Sequence, residues 1–130
     1  MAVINRTRNI LEKKLRQLVL NFLRADALAT KKKGTTRERI LVTVQPDRKK
    51  RMASLAPDDV VEQLLWAELT AVIIREWPIF GGVFADRKQF EQHTAIVNDR
   101  PDAHAKNADA ADLAMYRRSL KWLSDRITAI

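Results

Sequence analysis

The chain has no cysteine, only three glycines and four prolines, and a single tyrosine in 130 residues. Without cysteine there is no disulfide framework and no thiolate metal site, which suits a reducing compartment. So few turn formers leave little room for the many tight turns of an all-β protein. No secretory signal is visible. The apolar segment from Val60 to Ile74 carries Glu62 and Glu68 and is too short to span a bilayer. The expectation is a soluble, cytoplasmic protein without a membrane partner.

What is present is apolar and basic. Hydrophobic residues make up 46% of the chain, enough for one domain with a real core. The formal net charge is +8 and is unevenly placed. Residues 31–51 carry nine Lys and Arg against two acidic residues, a net of +7. Residues 1–30 carry a net of +4 and residues 52–130 a net of −3. The N-terminal portion is therefore the side of the sequence suited to a polyanion, through charge that neutralises phosphates without reading bases. Its candidate phosphate contacts are Lys31, Lys32, Lys33, Arg48, Lys49, Lys50 and Arg51. The alternative is a solvated basic loop that keeps the chain soluble.

Periodicity predicts an all-α protein. A first helix is expected from about Asn5, which could cap it, to Ala27, with Leu11, Leu15, Leu18 and Phe22 on one stripe. Lys31 to Thr36 reads as a basic linker, and residues 31–56 as an insertion of linker and short helix. Over Arg37–Val44 helix and strand are both open: Thr35 or Thr36 could cap a helix, whereas Ile40 to Val44 has β-branched character. Pro46 should end that element, with Asp47 capping a short basic turn. Pro57 fits the first turn of a long central helix whose stripe is Val61, Leu65, Leu69 and Val72, stopped by Trp77-Pro78. Phe80 to Phe84 reads as a hydrophobic connector. Asp86 caps a helix over about Arg87–Asp99 with Phe90 and Val97 inward. A last helix over about Asp109–Thr128 carries Leu113, Tyr116, Leu120, Leu123 and Ile127.

The stretch Asn98-Asp99-Arg100-Pro101-Asp102-Ala103-His104 holds the candidate chemistry. A guanidinium neutralises phosphate, and a neutral imidazole accepts a proton near pH 7. Together they suit RNA cleavage without a metal. The competing reading is a helix junction whose polar residues only cap and solvate. His93, the other histidine, reads as a partly buried helix residue. Two histidines without a carboxylate cluster do not make a zinc site, and no cofactor motif is present.

The order of these features resembles the HEPN family (higher eukaryotes and prokaryotes nucleotide-binding). The likeness rests on Glu12 and Leu15-Arg16 in the first helix, then a central apolar helix, then Trp77-Pro78-Ile79-Phe80 with Phe84 and Phe90. It ends with Asn98-x-Arg100-x-x-x-His104 and a closing helix. Asp102-Ala103-His104-Ala105-Lys106 matches the end of the motif in some members. Residues 31–56 match nothing specific. The resemblance implies a single domain over residues 1–130 built as a bundle of four to five helices, and a homodimer. In catalytic members Arg and His of both protomers meet in a cleft and cut RNA without metal. Many members act in toxin–antitoxin or phage-defence systems, so an antitoxin or a larger defence protein is an implied partner.

Two functional readings follow. In the first, the chain is a metal-independent endoribonuclease: His104 takes the proton of a ribose 2′-hydroxyl, Arg100 holds the phosphate, Asn98 orients phosphate or base, and Lys106 adds attraction. In the second, the chain is an inactive HEPN module for RNA binding or protein interaction. This reading draws on the Arg–His spacing, shorter than the family's usual one, and on Pro101 directly after the arginine. A basic helical DNA-binding protein is a third class, but no recognition-helix signature supports it.

Overall fold

The computed structural model describes residues 2–30, 34–99 and 110–129. Among these residues the chain forms eight α-helices and no strand. They are α1 (Ala2–Ala29), α2 (Thr36–Leu41), α3 (Pro46–Met52), α4 (Pro57–Glu62), α5 (Trp66–Arg75), α6 (Trp77–Phe84), α7 (Arg87–Asn98) and α8 (Ala110–Thr128). The all-α expectation holds, with more and shorter helices than the four or five anticipated. No helix among the described residues is long and apolar enough to cross a membrane.

Contacts divide the chain into two compact units. The internal unit is Leu15–Phe80, and the terminal unit is Met1–Lys14 together with Gly81–Ile130.

The internal unit is built on α2, which packs against α4 and α5. Thr35 caps α2: its hydroxyl accepts from the Glu38 N–H at 3.2 Å and donates to the Glu38 carboxylate at 3.0 Å. That cap, with Ile40 and Leu41 buried on one side, settles the helix-or-strand question for helix. Pro46 opens α3 rather than ending the element before it, because proline's missing N–H costs nothing in a first turn.

The long central helix expected after Pro57 is broken in two. Val61 and Leu69 are buried, but Leu65 lies in the break and is 60% exposed. Several of the polar groups freed there have partners. Glu68 accepts from the Leu65 N–H at 2.9 Å and so restarts the helix as α5. Arg16 donates to the carbonyls of Val61 at 3.2 Å and Leu64 at 2.9 Å. Arg48 donates to the Gln63 carbonyl at 2.8 Å and pairs with Glu68. Residues distant in sequence supply what an uninterrupted helix would have supplied itself.

Arg39 is more deeply buried than either of these arginines, only 5% exposed. Its Nε donates to Glu76 at 2.7 Å, and its Nη1 lies 2.8 Å from Asp26. Hydrogen bonding to Glu76, against the opposing effect of burial and with help from Asp26, raises its already high pKa. Phe22 and Phe80 stack with ring centres 5.5 Å apart, over a core that includes Leu15, Leu23, Ile40, Leu69 and Ile73.

In the terminal unit α7 packs against α8. Asp86 caps α7 as expected, accepting from the Gln89 N–H at 3.0 Å. Phe90 and Val97 are fully buried, and Phe90 lies against Phe84 at 4.5 Å between ring centres. Tyr116, Leu120 and Leu123 fill the α8 stripe. Two expectations change here. Phe80–Phe84 is helical, because Pro78 sits in the first turn of α6 instead of closing α5. Asn5 lies inside α1, which begins at Ala2. Ala85 adopts φ +66°, a left-handed turn between α6 and α7 that alanine rarely makes.

Candidate nucleic-acid interface

The motif is only partly within the described residues. Asn98 is the last residue of α7 and is exposed. It is carried there by the Asp86 cap and by the buried Phe90 and Val97 on the same helix. The chain leaves the helix at Asp99, whose N–H bonds the Ala95 carbonyl at 3.0 Å. Arg100, His104 and Lys106 lie outside the described residues, as do Lys31, Lys32 and Lys33. The chain re-enters description at α8, eleven residues after Asp99.

The remaining candidates occupy α3, whose sequence after Pro46 is Asp47-Arg48-Lys49-Lys50-Arg51-Met52. Met52 is buried and anchors the helix. Lys49, Lys50 and Arg51 fall in its last turn, where cations offset the negative end of the helix dipole. All three are exposed, and none forms an ion pair among the described residues. Arg48 differs. Its guanidinium is held by Glu68 and the Gln63 carbonyl and serves the α4–α5 break. Four consecutive cations thus separate into one structural clamp and three groups open to solvent. The sequence could not make this division, because the clamping partners lie 15 and 20 residues away.

His93 is half-buried on α7, as expected for a packed helix residue. Its Nδ1 lies 2.9 Å from the Ser119 hydroxyl, and its ring stacks on Trp122 at 4.8 Å. Arg126 covers the same indole, 5.2 Å from the ring centre. Desolvation lowers the His93 pKa from its ordinary 6.5. The imidazole and hydroxyl suggest a nucleophile and its base, but Ser119 is 1% exposed. A hydroxyl so enclosed meets no substrate, and the contact holds α7 to α8. Trp122 is occupied on its ring by His93 and Arg126.

Sequence reasoning missed Arg16 and Arg39 as organising residues. Arg16 entered only as part of a family likeness, and Arg39 as one charge in a basic run. The available signal was a basic residue beside buried positions, Leu15 in one case and Ile40 in the other.

Comparison with known proteins leaves the chain on its own: no family model, no curated protein and no solved structure matches it.

Proposed function

We propose that this chain is a HEPN-like, RNA-directed protein that acts as a homodimer and cleaves RNA without a metal. The observation that carries the RNA-directed part is α3, where Lys49, Lys50 and Arg51 stand exposed and unpaired in one turn. Cations so placed attract a polyanion at no cost in broken ion pairs. Arg48 is left out of this surface by its pairing with Glu68.

The cleaving part rests on the motif after α7. His104 takes the proton from a ribose 2′-hydroxyl as its oxygen attacks the adjacent phosphorus. The bond to the 5′-oxygen breaks, and that oxygen takes a proton from the second protomer's imidazolium. The products are a 2′,3′-cyclic phosphate and a free 5′-hydroxyl. Arg100 neutralises the phosphate oxygens as charge grows on them, Asn98 orients the strand at the end of α7, and Lys106 adds attraction. A role in a toxin or defence system, with an antitoxin or larger protein as partner, belongs to the same reading.

The test is incubation of the full chain with end-labelled RNA in EDTA. Cleavage that leaves cyclic phosphate ends and falls at least about a hundredfold in His104→Ala is the expected result. Tight, salt-sensitive RNA binding with no product from any RNA would leave the inactive RNA-binding module. Preference for duplex DNA over RNA would remove both.

A further inference from the structure

The internal unit holds a cavity of about 950 Å³, which shares only Lys49 with the RNA reading. It is bounded by α2, the start of α3's last turn and the end of α5. Four cations line it: Arg37, Arg39, Lys49 and Arg75, against the carboxylates of Glu38 and Glu76. Leu41, Val42 and Ala53 supply an apolar wall.

The carboxylates are already committed. Glu76 accepts from Arg39, and Glu38 is held in the Thr35 cap. The cations are committed only in part, Arg39 being paired with Glu76 and Asp26. Arg39, buried to 95%, keeps its Nη2 without a hydrogen-bond acceptor among the described residues. The buried Nε of Arg37 also lacks one. Arg75 and Lys49 are exposed at the edge and form no ion pair among the described residues. Buried donors normally find acceptors, because leaving them unmade is costly. The two nitrogens are themselves enclosed, but they belong to residues that line one open cavity, to which Arg75 and Lys49 add exposed charge.

We propose that this cavity binds a phosphate ester. Phosphate suits the arrangement better than a carboxylate: it carries up to two charges, and its oxygens can be shared by guanidinium groups reaching from different helices. The volume exceeds that of a bare ion and falls in the range of small-molecule sites. The apolar wall would receive the organic part of the ester. Among the described residues no aromatic side chain lines the cavity, so base stacking is not the means of selection they offer. The proposal stands apart from RNA cleavage, since none of Asn98, Arg100 and His104 takes part.

The experiment is calorimetric titration of the full chain with ribose 5-phosphate, inorganic phosphate and acetate, all at one ionic strength. Saturable one-to-one binding is expected, tightest for ribose 5-phosphate and weakest for acetate. Arg37→Gln and Arg75→Gln should each weaken it by roughly tenfold, the loss of one charged hydrogen bond. Lys88→Gln and Arg117→Gln, exposed cations of the terminal unit, should leave it unchanged. Circular dichroism of the four variants checks that each folds. The proposal fails if no saturable binding occurs, if acetate binds as well as phosphate, or if the control variants lose as much as the cavity variants.

Discussion

The two units use arginine in opposite ways. In the internal unit, Arg16, Arg39 and Arg48 reach across long stretches of sequence to carbonyls and carboxylates, and each holds a place where regular helix has stopped or a charge is enclosed. In the terminal unit, arginine pairs within one helix, although Arg8 is itself buried. Arg8 pairs with Glu12, and Arg87 with Glu91, one turn away on the same helix. Arg126 merely covers Trp122. The terminal unit relies instead on Phe84, Phe90, Tyr116 and the His93–Trp122 stack. Local pairs add a little to helices already formed by spacing, whereas the distant ones sit where helices end.

The sharpest way to break this contrast is Arg39→Met. It leaves Glu76 and Asp26, 12% and 22% exposed at their side chains, without their shared cation. A loss of about 3 kcal/mol is expected in urea unfolding, and adding Glu76→Gln and Asp26→Asn should recover much of it. A loss below about 1 kcal/mol would mean that the clamp is decorative after all. Arg16→Met comes next. The Leu64 carbonyl loses its side-chain donor and the Val61 carbonyl one of its donors, at a cost of about 1–3 kcal/mol. Amide exchange over residues 61–66 should quicken more than exchange in α8. Equal quickening in both places would show that Arg16 acts on the whole chain and not on the break.

The smallest effect tests the terminal unit through pH. Burial lowers the His93 pKa below 6.5 in the folded chain. Above 6.5 the ring is neutral whether the chain is folded or not, and its contribution to stability is intact. As pH falls below 6.5 the unfolded chain takes up a proton that the folded chain resists. Stability is then lost progressively until the folded pKa is passed. Unfolding midpoints measured from neutral pH downward should fall more steeply for the wild type than for His93→Asn. Identical slopes would show that the His93 environment contributes nothing to the acid response.

Much of the fold was legible where the information is local. The Asp86 cap, the inward Phe90 and Val97, and the Tyr116–Leu120–Leu123 stripe all follow from spacing within one helix. The break at Gln63–Leu65 was not legible. No glycine or proline marks it, and the arginines that stabilise it lie far away in sequence. Trp77-Pro78 misled for a related reason: proline is a stop inside a helix and a start in a first turn, and only the chain's path tells which. For the site, the exposed turn Lys49–Arg51 was found from charge alone. The same charge could not separate Arg48, whose partner is Glu68, from its neighbours. Arg39 was hidden because a buried guanidinium and a solvated one are written with the same letter.

The break between α4 and α5 has a consequence for anyone who dissects this chain. A synthetic peptide covering residues 57–75 would contain the bend's sequence but neither Arg16 nor Arg48. Inside it only Glu68, through the Leu65 N–H, still favours a bend over one continuous rod. The segment's shape is on loan from the rest of the polypeptide, and fragments cut there should not be expected to keep it.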